Sequence, residues 1–265
     1  MRVGVFGAGG RMGSTVCRAV VADRDLELVA AVDPHHSGLD LRQVAGVEGT
    51  GLQVGAGPEA LAAAGAEAAV DFTEARAAWD NLLWCADHGV HAVVGTTGLS
   101  DEQLGTLAGR FDAGGANCVV APNFAIGAVL MIRFAAMAAP FFETAEVIEL
   151  HHDDKIDAPS GTALLTAARM DEARRAAGRR WGEDPTQTVA LPGARGGSSD
   201  GGVHVHSVRL RGLVAHQEVL LGTTGQTLSI RHDTTDRTSF MPGVLMALKA
   251  VAGRPGMTVG LDALL

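Results

Sequence analysis

Cysteine is scarce in this sequence, and its pattern excludes two classes of protein. Cys17, Cys85 and Cys118 are odd in number, far apart and without a Cys-x-x-Cys spacing. This pattern argues against a disulfide framework and against a zinc site, and it favours a reducing compartment. We therefore expect a cytoplasmic protein.

Basic runs and long uncharged runs are also lacking. The formal net charge is −9, and the only adjacent basic pairs, Arg174-Arg175 and Arg179-Arg180, fit the solvated face of one predicted helix. This balance argues against a nucleic-acid or anionic-membrane surface. No uncharged run approaches the ~20 residues of a membrane span, and the chain opens on a strand pattern, so we expect neither export nor membrane insertion.

What the sequence does contain is enough apolar material for one large or two modest domains, since 47% of its 265 residues are hydrophobic. A strand pattern at 2–6 precedes Gly7-Ala8-Gly9-Gly10-Arg11-Met12-Gly13, and a second strand pattern at 27–32 ends in Asp33. In a dinucleotide-binding fold such glycines admit the pyrophosphate at a helix N-terminus, and the acid binds the adenosine ribose. Without a ligand, the glycines would simply form a tight strand-to-helix turn.

Strand and helix patterns continue to alternate up to residue 124. Strand patterns cover 68–72, 91–94 and 118–121, and helix patterns cover 75–88 and a segment that starts with a capping box at Ser100 and Gln103. Gly95-Thr96-Thr97-Gly98 and Ala121-Pro122-Asn123-Phe124 follow two of these strands, at the sheet edge where ligands bind. From the residues alone, an ordinary turn is the simpler interpretation of Gly95–Gly98.

The motif with the most candidate catalytic side chains begins where a strand pattern ends in His151 and His152. Lys155 follows in the next turn, and Ser160-Gly161-Thr162 opens a helix pattern that runs to about Ala177. Two imidazoles and an ammonium group would then lie beside a helix N-terminus, which favours a carboxylate or phosphate. Taken singly, paired histidines are more often surface or core residues, and Pro-Ser-Gly-Thr is a common helix start.

The second half of the chain predicts an α+β domain. A helix pattern covers 125–139, strand patterns cover 204–210, 216–221 and 226–232, a loop without regular structure covers 193–202, and a helix pattern covers 236–252. Short turns between the strands indicate a mixed or antiparallel sheet, with one face on its own helices and the other free to bury against another subunit. We expect the helix pattern at 236–252 to pack back on the first domain.

The run Glu149-Leu150-His151-His152-x-x-Lys155-x-Asp157-Ala158-Pro159-Ser160-Gly161-Thr162-Ala163 resembles the signature of the dihydrodipicolinate reductase family at every position. The resemblance extends from Gly7 to the segment Arg237–Phe240. It implies an α/β fold, with a Rossmann-like doubly wound parallel sheet and a second α+β domain, and commonly a homotetramer. The implied domains are a discontinuous dinucleotide-binding domain, 1–124 with 236–265, and a substrate-binding and oligomerisation domain, 125–235. It also implies NADH- or NADPH-dependent reduction of 4-hydroxy-tetrahydrodipicolinate to tetrahydrodipicolinate in lysine and diaminopimelate biosynthesis.

The same resemblance implies residue roles. His151 is expected to donate or accept a proton, Lys155 to donate one, and His152, Gly161 and Thr162 to bind substrate; no metal is expected. The implied cofactor-binding residues are Gly7, Ala8, Gly9, Gly10, Arg11, Met12, Asp33, Gly95, Thr96, Thr97, Ala121, Pro122, Asn123 and Phe124. Family members that accept both nucleotides often have an arginine after the acid, whereas Pro34 follows Asp33 here. The preference between NADH and NADPH therefore stays open.

Three alternatives are weighed against this function. Another two-domain reductase, such as a homoserine or aspartate dehydrogenase, would not need His-His-x-x-Lys followed by Ser-Gly-Thr. A non-catalytic dinucleotide-binding module would not need His151 and Lys155 together. A metal enzyme built on His151, His152, Asp153 and Asp154 would lack a helix-spaced ligand pair.

Because the predicted cofactor and substrate residues lie far apart in the chain, we also expect the domains to close, with hinges near Phe124 and residues 233–236.

Overall fold

A computed structural model describes residues 1–265 and divides them into two compact units, Met1–Phe124 with Arg237–Leu265, and Ala125–Asp236. Up to residue 124 the elements are β1 (Arg2–Phe6), α1 (Arg11–Ala22), β2 (Glu27–Val32), α2 (Leu41–Ala45), α3 (Glu59–Ala63), β3 (Ala68–Asp71), α4 (Ala75–Asp87), β4 (His91–Val94), α5 (Asp101–Gly114) and β5 (Cys118–Val120). The second unit contains α6 (Ile126–Ala138), β6 (Thr144–His151), α7 (Gly161–Ala176), β7 (Gly197–Ser198), β8 (His204–Arg209), β9 (Ala215–Thr223) and β10 (Gln226–Thr234). The chain ends with α8 (Met241–Val251) and β11 (Met257–Val259).

The first unit is built on a six-stranded parallel sheet in the order β11-β5-β4-β3-β1-β2. Strands β1 to β5 are almost continuously apolar and buried, as expected for a parallel sheet inside an α/β unit. Because β2 and β3 lie on opposite sides of β1, the winding reverses direction there. In open parallel sheets the crevice at such a reversal is the usual ligand site.

The C-terminal segment completes this sheet through long-range hydrogen bonds. Asn117 donates from Nδ2 to the carbonyl oxygens of Val251 at 2.9 Å and Ala252 at 3.0 Å, and its Oδ1 accepts from the N–H of Gly256 at 3.1 Å. β11 then pairs with β5 in parallel. These contacts fix the end of α8 and the edge strand to the unit.

The second unit is built on a five-stranded mixed sheet in the order β10-β9-β6-β8-β7. The β6–β8 pair is parallel, and the other pairs are antiparallel. The apolar core between this sheet and the helices α6 and α7 contains Met131, Ala135, Ala163, Ala167, Met170, Val147, Val205, Val219 and Leu221. Along β6, the half-buried Glu146, Ile148 and Leu150 alternate with these core positions and therefore lie on the other face of the sheet.

The predicted fold class, a Rossmann-like parallel sheet plus a mixed-sheet unit, is confirmed. Two predicted elements are wrong in part. The helix predicted over 236–252 begins as a short 3-10 helix, Arg237–Phe240, and becomes α8 only at Met241, next to Pro242. The loop predicted over 193–202 includes the two-residue strand β7, which pairs with β8. No helix is both long enough and apolar enough to cross a membrane.

Candidate active site

Close backbone contacts shape the glycine-rich turn between β1 and α1. Gly7 has a φ of 68°, in the left-handed region that favours glycine. A Cβ on Gly13 would lie 2.0 Å from the carbonyl oxygen of Gly7, so only glycine lets α1 start this close to the turn. The N-cap residue Gly10 offers no side-chain cap, and the first turn of α1 has no acidic residue. The N–H groups of this turn can therefore receive a phosphate.

Asp33 lies against the same turn at the end of β2. Its Oδ2 accepts from the N–H of Gly9 and its Oδ1 from the N–H of His35, each at 3.0 Å. The Nδ1 of His36 lies 3.0 Å from Oδ1. Partial burial would raise the pKa of Asp33, but the nearby imidazole and the two N–H groups lower it below its usual value. A charged carboxylate beside a glycine turn fits the ribose end of a dinucleotide.

The loops after β3, β4 and β5 meet at one edge of the sheet. The ring of Phe72 lies 5.6 Å from that of Phe124, centroid to centroid, and a Cβ on Gly95 would lie only 1.9 Å from Phe72. Thr96 is buried, and its Oγ1 donates to the carbonyl oxygen of Thr73 at 2.9 Å. The Thr96 hydroxyl therefore joins two loops, and its backbone is the part left for a ligand.

In the second unit, His151 ends β6 and contacts Glu149 on the same face of the strand. The Nδ1 of His151 bonds Oε2 of Glu149, which is fully buried. Burial lowers the pKa of His151, and the charges of Lys155 and Arg209 add to this effect, while Glu149 opposes it. The net effect is a pKa below the usual histidine value, which favours the neutral imidazole near pH 7. Its proton lies on Nδ1, which leaves a lone pair on Nε2.

Arg209, at the end of β8, keeps Glu149 charged. Its Nη1 donates to Oε2 and its Nη2 to Oε1, both at 2.9 Å, in a bidentate pair. Burial would raise the pKa of Glu149, but Arg209, Ser207 and His151 together hold it below its usual value. Nη2 also donates to the carbonyl oxygen of Asp157 at 2.5 Å. One guanidinium thus bonds both the carboxylate under His151 and the turn that follows it.

That turn, His152–Asp157, carries the predicted lysine. The Nζ of Lys155 lies 2.6 Å and 2.8 Å from the two carboxylate oxygens of Asp157. The backbone N–H of Lys155 donates to the carbonyl oxygen of His152 at 3.3 Å. The hydrogen bond from Lys155 lowers the pKa of Asp157. Since 21% of the Lys155 side chain is exposed, the ammonium group is both held in place and accessible.

Helix α7 begins beside this turn. The buried Ser160 is its N-cap, and its Oγ accepts from the N–H of Ala163 at 3.2 Å. Gly161 is exposed, has no left-handed φ, and a Cβ placed on it would meet no atom within 4 Å. The packing of the protein therefore does not require glycine here. A ligand that approaches the backbone closely would require it.

The predicted site residues thus fall into two groups. Those for the cofactor lie at the carboxyl ends of β1, β2, β4 and β5. Those for catalysis and substrate lie at the end of β6, in the turn that follows it and at the start of α7. Neither Glu149 nor Arg209 carries a role predicted from the sequence. An acid two residues before a histidine in a strand shares its face, so Glu149 had a local signal. Arg209 had none, because it lies 60 residues from Glu149.

The fold and these two groups of residues define a Rossmann-type oxidoreductase architecture with a second, mixed-sheet unit. At low sequence identity this architecture is shared with the amine dehydrogenase of Mycobacterium smegmatis, with a TM-score of 0.66, 17% identity, and coverage of 99% of this chain and 95% of that chain. The likeness shows the fold alone.

The chain belongs to the dihydrodipicolinate reductase family. Residues 1–124 match the family's N-terminal model and residues 127–265 its C-terminal model. The 4-hydroxy-tetrahydrodipicolinate reductases of Cutibacterium acnes and Nocardia farcinica are 51% and 52% identical, over 100% and 99% of this chain and 98% and 97% of theirs. A dipicolinate-bound dihydrodipicolinate reductase from Paenisporosarcina sp. TG-14 has a TM-score of 0.85 and 39% identity, over 100% of this chain and 99% of that chain.

Proposed function

We propose that the chain is an NAD(P)H-dependent reductase that converts 4-hydroxy-tetrahydrodipicolinate to tetrahydrodipicolinate in lysine and diaminopimelate biosynthesis. The observation that carries the proposal is the group formed by His151 on the buried Glu149, the ammonium of Lys155 held by Asp157, and the start of α7 at Gly161. Full-length relatives carry this activity in their names, and a structural neighbour binds dipicolinate, a planar ring dicarboxylate.

The first unit is proposed to hold the nucleotide. The N–H groups after Gly9 receive the pyrophosphate, and Asp33 accepts from the ribose hydroxyls. Gly95–Thr97 and Ala121–Phe124 line the nicotinamide side through their backbone. Asp33 would repel a 2′-phosphate, while Arg11 and the adjacent histidines offset part of that repulsion. We therefore propose that NADH is used well and that NADPH is tolerated.

The second unit is proposed to hold the substrate. Gly161 and Thr162 bind one carboxylate through the backbone N–H groups at the start of α7 and the threonine hydroxyl, and His152 contacts the ring or the second carboxylate. A helix N-terminus favours such an anion through its free N–H groups and its dipole. The exposed glycine at 161 allows the carboxylate to approach the backbone closely.

The protein's own chemical task is to supply and accept protons. A bound nicotinamide nucleotide supplies the hydride. Addition of a hydride to an unsaturated ring leaves negative charge that a proton must neutralise. Lys155 is the proposed donor, since its ammonium is held by Asp157 and is accessible. Before the hydride adds, the 4-hydroxyl group must leave as water. His151, with its lone pair on Nε2, is proposed to accept a ring proton in that elimination and to pass it to the departing hydroxyl group.

The chain is further proposed to work in the cytoplasm as a homotetramer. All three cysteines are buried and free, which suits a reducing compartment. The face of the second sheet that carries Ile148 and Leu150 is not covered by α6 and α7 and would form the subunit contact. Light scattering of the purified protein would test the tetramer.

A coupled assay tests the activity directly. The preceding condensation reaction would generate the substrate, and absorbance of NADH or NADPH would report its reduction. We expect nucleotide oxidation that depends on both the substrate and this protein, and that is insensitive to chelators. No loss of absorbance with either nucleotide would contradict the proposed function.

A further inference from the structure

Glu149 and Arg209 contact both groups of the proposed proton chemistry, and the following inference rests on the proposed function. We propose that they are positioning residues: Glu149 fixes the proton of His151 on Nδ1, and Arg209 holds Glu149 and the turn His152–Asp157 in one arrangement. Neither residue would touch the reacting atoms. Their effect on the reaction would pass through His151 and Lys155.

The hydrogen bonds of Glu149 determine the tautomer of His151. Oε1 accepts from the N–H of Ser160 at 3.2 Å and from Nη2 of Arg209 at 2.9 Å. Oε2 accepts from Nη1 of Arg209 at 2.9 Å and contacts Nδ1 of His151. An ionised carboxylate can only accept, so Nδ1 must carry the proton and Nε2 must be the acceptor that remains for a ligand.

Arg209 connects this carboxylate to the lysine. It lies directly opposite His151 in the parallel β6–β8 pair, so its guanidinium can reach both Glu149 and the turn after His151. Nη2 also donates to the carbonyl oxygen of Asp157, whose carboxylate binds Nζ of Lys155. A lysine at 209 would keep the charge but could not reproduce the planar fork that makes these bonds together.

Glu149→Gln is the decisive variant, because its amide has one oxygen and one NH₂ group. If the NH₂ group replaced Oε1, it would face two donors, from Ser160 and Arg209. If it replaced Oε2, it would face Arg209 and Nδ1 of His151, and only the histidine can respond, by moving its proton to Nε2. The variant should therefore carry the opposite tautomer, with its acceptor turned away from the ligand.

Nitrogen-15 NMR of labelled histidine would read the tautomer without any turnover. In the native protein we expect Nδ1 protonated and Nε2 unprotonated, and in Glu149→Gln the reverse. The kcat of the variant should fall by ~10², the scale of general acid–base catalysis, while nucleotide affinity stays unchanged. Unfolding would also expose His151 and favour the Nε2–H tautomer, so the spectrum must be recorded on Glu149→Gln protein that circular dichroism and thermal unfolding show to be folded.

The pH profile gives a second readout. The charged groups that act on His151 are Glu149 of its own strand, Lys155 of the following turn and Arg209 of β8. Removal of the carboxylate charge lowers the pKa of His151, so the acidic limb of kcat should move to lower pH by ~1 unit in Glu149→Gln. In Arg209→Met, loss of a positive charge raises the pKa of His151, so the acidic limb of kcat should move to higher pH.

Glu146→Gln is the matched control. Glu146 lies on the same strand and also bonds a histidine and an arginine, at 2.5 Å from Nε2 of His206 and 2.7 Å from Nη2 of Arg195, but on the other face of the sheet. It should keep the native tautomer of His151, and its kcat should stay native in protein that light scattering shows to keep the wild-type assembly. If Glu149→Gln does not fold, Arg209→Lys carries the test, with Nδ1 still protonated and kcat lowered at least ~10-fold through the freed turn.

An unchanged tautomer and an unchanged kcat in folded Glu149→Gln would overturn the positioning role. Native rates in Arg209→Lys would overturn the link to Lys155. A wild-type protein without reductase activity would instead contradict the proposed function, because the nitrogen spectra report the positioning role independently of turnover.

Discussion

Substitution of Gly161 by alanine should weaken substrate binding without destabilising the fold. Gly161 opens α7, has ordinary helical geometry, and has no neighbour within 4 Å of a Cβ position. Alanine therefore meets no clash in the folded protein. Because alanine is the better helix former and narrows the unfolded ensemble, Gly161→Ala should stabilise the protein by ~0.5–1 kcal/mol.

The same methyl group should weaken substrate binding. If the carboxylate of the substrate accepts from the N–H groups at the start of α7, a Cβ at 161 would push it away from them. Loss of a hydrogen bond to a charged group is worth ~1.5–3 kcal/mol. This corresponds to a rise of ~10- to 100-fold in KM for the substrate and in the Kd for dipicolinate, with little change in kcat.

Thermal unfolding, the coupled assay and calorimetric titration of dipicolinate measure these effects. Gly109→Ala is the matched control, since Gly109 is an exposed glycine within α5 that also has no neighbour within 4 Å of its Cβ position. It should give a similar gain in stability with an unchanged KM. A stabilised Gly161→Ala protein with native KM and native affinity for dipicolinate would refute the proposed carboxylate site.

Further predictions concern the cofactor, the proton chemistry and the thiols. Gly9→Ala should abolish tight nucleotide binding in titrations, because the added Cβ would lie 2.8 Å from Oδ2 of Asp33 and 2.3 Å from the ring of His36. In titrations of the native protein, a hundredfold preference for NADPH would contradict the proposed use of NADH. Lys155→Ala and His151→Ala should each lower kcat by ~10² or more with unchanged nucleotide affinity, and near-native rates in both would disprove their roles. The native kcat should fall as the pH drops below the usual histidine range, since burial lowers the pKa of His151 and the neutral form is the acceptor. Burial raises the pKa of the cysteine thiols, so alkylating reagents at pH 8 should modify only unfolded protein, as mass spectrometry would show.

Local patterns predicted the elements that depend on neighbouring residues. The capping box of Ser100 and Gln103 starts α5, and Ser160 caps α7, because these side chains bond the backbone three residues away. The apolar strands of the parallel sheet were equally clear, since a strand buried on both faces needs an unbroken apolar run. The edge strand β11 and the short helices α2 and α3 had no such signal.

The sequence by itself determined the alternating α/β order, the glycine turn with Asp33, and the grouping of His151, Lys155 and Gly161 in one run, because spacing along the chain sets which of these side chains share a turn or a strand face. Only the tertiary structure decided which residues, remote in the chain, contact these local groups. Asn117 reaches the segment after α8, and Arg209 reaches Glu149 because β8 pairs in parallel with β6. A buried carboxylate needs a partner charge to stay ionised, and nothing in the local sequence specifies which strand will supply it.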